Sequence, residues 1–172
     1  RGFFVERFQA ERFRENGLSK GGVMIEVPAA ALRSAHVLAE VECGSIGTND
    51  LAQYTMAADR MQGELSDLLD PWQPAVLDVV AAACEGAAST GRPMGVCGES
   101  AGDPLLALVL TGLGVSSLSM APSKVPVVRL ALSLHSLPEC QGIAAAARAA
   151  ATAREALEAV RELARDELTD LL

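Results

Sequence analysis

The sequence is poor in the features that define specialised small proteins. Its four cysteines, Cys43, Cys84, Cys97 and Cys140, form no C-x-x-C pair, and neither of its two histidines stands at zinc-finger spacing from them. Neither a structural zinc site nor a disulfide framework is indicated, and a reduced, cytoplasmic setting is expected. No apolar run reaches the roughly 18 residues of a membrane span. The N-terminus also lacks a basic region leading into a long apolar stretch, so no membrane insertion is expected. Basic residues are scarce as well: 14 Lys and Arg against 22 Asp and Glu, a net charge of -8. Such a balance argues against nucleic acid or an anionic surface held by bulk charge, and any bound anion must be gripped locally.

What is present suits a packed domain. The 172 residues are 50% hydrophobic, enough for a substantial core. The chain begins at Arg1 without a methionine, which leads to the expectation of a piece of a longer polypeptide. All four phenylalanines (Phe3, Phe4, Phe8 and Phe13) precede a helix stop at Asn16-Gly17, so residues 1–20 read as an opening helix. From Gly22 onward, short apolar runs alternate with alanine-rich helical stretches, the βαβα signature of a parallel sheet. The runs are Val23 to Val27, Cys43 to Gly47, Pro93 to Cys97 and Ser116 to Met120. Between them the pattern gives helices over Ala29 to Glu40, Ala75 to Ser89 and Pro104 to Leu110, with another after Pro122. Past Pro138 it reads as one long helix with Leu157, Val160, Ala164, Leu168 and Leu171 on a single stripe. The expected division is therefore residues 1–20, 21–137 and 138–172. The expected fold class is α/β, with four parallel strands, covering helices and a C-terminal long helix.

In α/β barrels, reactive groups gather where strands lead into helices. Here Glu26 closes the first strand, Asn49 and Asp50 follow the second, Cys97, Gly98 and Glu99 follow the third, and Ser119 and Ser123 flank the fourth. Taken singly, Glu26 reads as an acid near a helix start, Thr48-Asn49-Asp50 as a cap, Arg60 as a surface cation and Cys97 as a small hydrophobe. Taken together, Glu26 and Asp50 offer hard oxygen ligands for Mg²⁺, Arg60 offers a fork for phosphate, and Cys97 offers an acid beside glycine-rich backbone. A competing signal is Gly98-Glu99-Ser100-Ala101-Gly102, which has the G-x-S-x-G form of a serine hydrolase elbow. Only His135 follows it, with Asp103 the only Asp between, so Ser100 is a remote alternative nucleophile. His36 and His135 otherwise read as structural or surface residues.

Four motifs, in order and spacing, carry a family resemblance: Gly22-Val23-Met24-Ile25-Glu26-Val27-Pro28-Ala29-Ala30, Ser45 through Thr55, Ala57-Ala58-Asp59-Arg60 and Gly95-Val96-Cys97-Gly98-Glu99. Over roughly Gly22 to Ser136 the chain resembles enzyme I of the bacterial phosphoenolpyruvate-dependent sugar phosphotransferase system. The resemblance implies the C-terminal half of a (β/α)8 TIM-type barrel. It implies Mg²⁺ on Glu26 and Asp50, phosphate contacts from Asn49 and Arg60, and Cys97 exchanging the proton at the methylene carbon of phosphoenolpyruvate. It further implies a histidine-containing phosphocarrier protein as partner, and a homodimer.

The departures shape the expectation equally. No segment matches the family's histidine-bearing domain, and the barrel half that supplies further phosphate-binding arginines has no counterpart in these 172 residues. Cys43-Gly44 stands where the family has bulky aromatics. The reading is therefore an enzyme I-like fragment, inactive alone, with a non-catalytic dimerisation or regulatory module as the alternative. The face turned toward the barrel interior is expected to be apolar.

Overall fold

The computed structural model describes residues 21–172; the opening helix expected over residues 1–20 lies outside the described residues. Four parallel strands, β1 (Gly22–Ile25), β2 (Cys43–Gly47), β3 (Met94–Cys97) and β4 (Ser117–Ser119), are hydrogen-bonded in sequential order. Each leads into helical structure, the order that half of a (β/α)8 barrel presents. The intervening elements are α1 (Pro28–Leu32), α2 (Ser34–Leu38), α3 (Thr48–Met56), α4 (Pro74–Thr90), α5 (Pro104–Gly112) and α6 (Val125–Leu134). Short 3-10 turns cover Gly63–Leu69, Glu99–Gly102 and Pro122–Lys124.

The two faces of the sheet differ because strand side chains alternate. Val23, Ile25, Ile46, Met94 and Val96 are buried in a core cluster with Leu38, Val80, Cys84 and Leu110 of the covering helices. The opposite face carries Met24, Cys43, Ser45, Gly47, Gly95, Cys97, Ser117 and Ser119 (Cys43 beside Gly22, Ser117 beside Gly95). Met24 apart, it is built of small, mostly polar residues, not the apolar surface expected.

The helix expected over Ala29 to Glu40 is broken at Arg33, whose φ of -111° and ψ of 19° leave helical geometry. The break seats buried Ser34 against α4, where its hydroxyl donates to the Ala82 carbonyl at 3.4 Å. Gly86 opens the space: a Cβ there would lie 1.9 Å from Ser34 Oγ.

The single long helix expected past Pro138 is three helices: α7 (Leu137–Ala149), α8 (Ala153–Leu163) and α9 (Asp166–Thr169). Thr152 ends the first run because its side chain accepts from the Glu155 N–H at 3.2 Å, while Glu155 accepts from the Ala151 N–H at 3.0 Å. These bonds satisfy helix-start donors and favour a new N-terminus over continuation. The fold-back lets Ala156, Val160, Ala164 and Leu168 share a second core cluster with Leu105, Leu106, Val109 and Ile143, whereas Leu171 is exposed. His135, also buried, ties this unit to α6: its Nδ1 lies 2.8 Å from the Ala131 carbonyl, and its Nε2 accepts from the Arg165 N–H at 3.1 Å.

A capping box opens α7, with Ser136 and Glu139 bonded reciprocally and Arg165 paired to Glu139. The Ser136 N–H and hydroxyl, aided by the Arg165 charge, hold the Glu139 carboxyl down at about 2. A depressed carboxyl contributes stability above its unfolded value, and loses it as pH falls through the folded one. The advantage of the native chain over Glu139→Gln in thermal midpoint should thus be full at pH 6 and shrink between about 4.5 and about 2. An advantage unchanged at pH 2.5 would contradict the assignment.

Close approach of α5 to α7 generates a second prediction. A Cβ at Gly112 would sit 2.1 Å from the Cys140 carbonyl oxygen, while one at Gly142, within α7, meets nothing within 4 Å. Gly142→Ala should stabilise by up to about 1 kcal/mol through helix propensity. Gly112→Ala should destabilise by about 1–3 kcal/mol through overpacking despite the same propensity gain. Urea unfolding of both variants reads the two signs, and a stabilised Gly112→Ala would overturn the packing account.

Candidate active site

The strand register sets the site. Ile25 pairs with Ile46, and Gly47 with Cys97, which in turn pairs with Ser119. The residues at the carboxyl ends of four strands therefore stand at one level. Glu26 follows β1 and lies over Gly47, where a Cβ would come within 2.9 Å of its Cγ and 3.1 Å of its Oε1. The missing side chain leaves room for that carboxyl on the small, polar face, at the same level as Cys97.

Cys97 is half-buried, with its Sγ 3.5 Å from the Ile46 carbonyl and its own carbonyl accepting from Thr48 Oγ1 at 3.4 Å. Cys84 and Cys140 lie in the core: burial and neighbouring Glu85 push the Cys84 thiol up to about 12, and burial raises that of Cys140. Those two serve as core hydrophobes. The next residue, Gly98, has φ 99° and ψ -166°, a backbone region that side-chain-bearing residues rarely enter. The space above it faces Thr48 and Asn49: a Cβ would lie 3.4 Å from Thr48 Oγ1 and 3.7 Å from Asn49 Oδ1. The first turn of α3 and the turn after β3 thus lie close together.

Asn49 and Asp50 occupy the first turn of α3, where an acid complements the helix dipole. Asp50 Oδ1 accepts from Arg60 Nη2 and from Gln53 Nε2, each at 2.9 Å. Gln53 Oε1 in turn accepts from the Arg60 backbone N–H at 3.2 Å. The chain returns to Asp50 through Ala57, a non-glycine residue with φ 50°. That conformation costs about 1–2 kcal/mol. The cleft there is lined by Asp50, Gln53, Tyr54, Ala57 to Met61 and spans about 620 Å³. Sequence reasoning named Asp50 and Arg60 but assigned Gln53 no role. Its signal was the three-residue step from Asp50, one turn along the same helix face.

The alternative nucleophile fails on geometry. Ser100 is buried in a 3-10 turn, Asp103 is committed to capping α5 through the Leu105 and Leu106 N–H groups at 2.8 and 3.1 Å, and both ring nitrogens of His135 are occupied. Neither Asp103 nor His135 is therefore free to activate Ser100.

Glu26 and Asp50 are hard oxygen donors of the kind suited to Mg²⁺, Glu26 standing over Gly47 and Asp50 in the first turn of α3. Among the described residues no three His, Cys, Asp or Glu side chains converge. The remaining coordination would fall to water and to a substrate phosphate.

A parallel α/β scaffold with acid, amide and thiol groups at its strand ends defines a barrel-type enzyme domain. The chain belongs to the family of PEP-utilising enzymes, as their PEP-binding domain, matched over residues 5–136. That match begins upstream of Gly22, where the motif resemblance starts. The chain is 58% identical over 153 residues to a phosphoenolpyruvate-protein phosphotransferase of Streptomyces coelicolor, covering 88% of this chain and 28% of that protein. It is 38% identical over 141 residues to the phosphotransferase of the same name in Bacillus subtilis, covering 82% and 25%. A multiphosphoryl transfer protein of Xanthomonas campestris is 45% identical over 143 residues, covering 82% and 17%. The chain therefore spans less than a third of the length of these relatives.

Proposed function

We propose that this chain is the metal- and phosphate-handling half of the barrel of a phosphoenolpyruvate-protein phosphotransferase, acting as part of a longer polypeptide. The observation carrying the reading is the common level of Glu26, Gly47 and Cys97 on one sheet face, with the Asp50–Arg60 pair on the helix that follows β2. A purely structural module has no need of polar groups at these strand ends.

In this reading Glu26 and Asp50 hold Mg²⁺, which when bound neutralises charge developing on the phosphoryl group. Arg60 and Asn49 orient the phosphate, Arg60 through its planar fork. A histidine elsewhere in the full polypeptide takes the phosphoryl group as the ester P–O bond breaks. The enolate so formed takes the Cys97 proton at its methylene carbon, giving pyruvate, and the thiolate regains a proton from solvent. The phosphoryl group then passes to a histidine-containing phosphocarrier protein in sugar uptake. Among the described residues no helix is long and apolar enough to cross a membrane, and the setting in this reading is the cytoplasm.

Cys97→Ala in the full-length polypeptide should lower turnover by at least about 10²-fold, the scale of a lost acid, while Mg²⁺-dependent phosphoenolpyruvate binding persists. Unchanged turnover would remove Cys97 from the mechanism. The 172-residue chain alone should take up no label from radioactive phosphoenolpyruvate, since its two histidines are committed or unmatched: His135 to the core, and His36 to a surface contact with Arg33 at 3.0 Å. Stoichiometric labelling would defeat the fragment reading. Assembly belongs to the same proposal: the chain pairs as a homodimer through its outer helices, and among the described residues β1 and β4 each have one unpaired edge that favours association. Light scattering at micromolar concentration should exceed the monomer mass, and a monodisperse 17.9 kDa species would refute it.

A further inference from the structure

Gln53 stands between Asp50 and Arg60 with both ends of its carboxamide in use, the amine donating to Asp50 Oδ1 and the carbonyl accepting from the Arg60 N–H. Only one orientation of the amide satisfies both neighbours, because a carboxylate can only accept and a backbone N–H can only donate. An acid of the same length lacks the donor at neutral pH. An apolar side chain lacks both groups, and asparagine is one methylene too short to span them.

The Asp50–Arg60 pair needs such support. Their side chains are 37% and 60% exposed, and an exposed ion pair by itself restricts geometry weakly. Gln53 adds two hydrogen bonds from a fixed position on α3, and its backbone carbonyl also accepts from the Ala58 N–H at 3.0 Å, closing the turn through Ala57. One residue thus ties the carboxylate, the turn and the Arg60 backbone together.

We propose that Gln53 is a positioning residue, setting the Asp50 carboxylate and the Arg60 guanidinium at the separation that the reaction requires; this rests on the roles given to Asp50 and Arg60 under the proposed function. Gln53 acts through these two neighbours. A residue that merely closes the C-terminus of α3 would change stability alone.

The test uses the full-length polypeptide with Gln53→Met, Gln53→Asn and, as reference, Asp50→Asn. Three quantities are read: thermal midpoint, kcat and KM for phosphoenolpyruvate, and affinity for the probe cation Mn²⁺ from the electron paramagnetic resonance of the free ion. Both Gln53 variants should retain a cooperative transition and lose about 10–100-fold in kcat and in Mn²⁺ affinity, as outer-shell partners of a metal ligand do. A shifted midpoint with kcat and Mn²⁺ affinity unchanged would overturn the proposal, as would loss of folding in both variants, which makes Gln53 structural. If Asp50→Asn leaves Mn²⁺ binding and turnover intact, the reading of the site itself falls. If Asp50→Asn abolishes them and the Gln53 variants do not, only the role of Gln53 falls.

Discussion

Strand register is the constraint from which the site follows. In a parallel sheet each strand must pair with its neighbour at a fixed offset, and side chains alternate between faces, so a one-residue slip would exchange the faces of a whole strand. Pairing Ile25 with Ile46 and Gly47 with Cys97 places large apolar residues under the helices and small or polar ones opposite. Burial of Val23, Ile25, Ile46, Met94 and Val96 enforces that register. The position of Glu26 over Gly47, and of Cys97 beside it, is then a consequence of core packing. The catalytic geometry of the proposed reaction needs little machinery of its own.

Around that level, local devices adjust what register cannot. Gly98 takes a backbone conformation that brings the loop after β3 against Asn49, and Ala57 takes a left-handed one that turns the chain back toward Asp50. Both stand next to residues assigned to phosphate, metal or proton transfer, where strained backbone is most often retained. The cysteines divide by burial. Cys84 and Cys140 lie within the two core clusters, with pKa raised by burial, while Cys97 is half-buried at the rim.

Much of this was legible in residue order. The four strands appear within two residues of the apolar runs, because short runs bounded by Gly, Pro and Asn punctuate a parallel sheet clearly. The groups at the strand ends were equally legible, since their meaning depends on following a strand. Besides the break at Arg33 in the first expected helix, two features differ from the expectation. The alanine-rich C-terminal stretch has helix-forming composition throughout, and that obscured the Thr152-x-x-Glu155 start signal that divides it. An apolar inner face is the general expectation for a barrel, whereas Cys43, Ser45, Gly47, Gly95, Ser117 and Ser119 spell out small, mostly polar residues at every second position. The link of Asp50 through Gln53 to Arg60 could not be read from spacing alone, because it depends on a left-handed turn at an alanine.

The account rests on two carboxylates from adjacent strand ends acting together on one cation. Isothermal titration of phosphoenolpyruvate into the full-length polypeptide, with Mg²⁺ and with chelator, tests that most directly when repeated on the Glu26→Gln, Asp50→Asn double variant. The native protein should show heat that depends on Mg²⁺, and the double variant should show none of that dependence. The same Mg²⁺-dependent heat in both proteins would contradict the account.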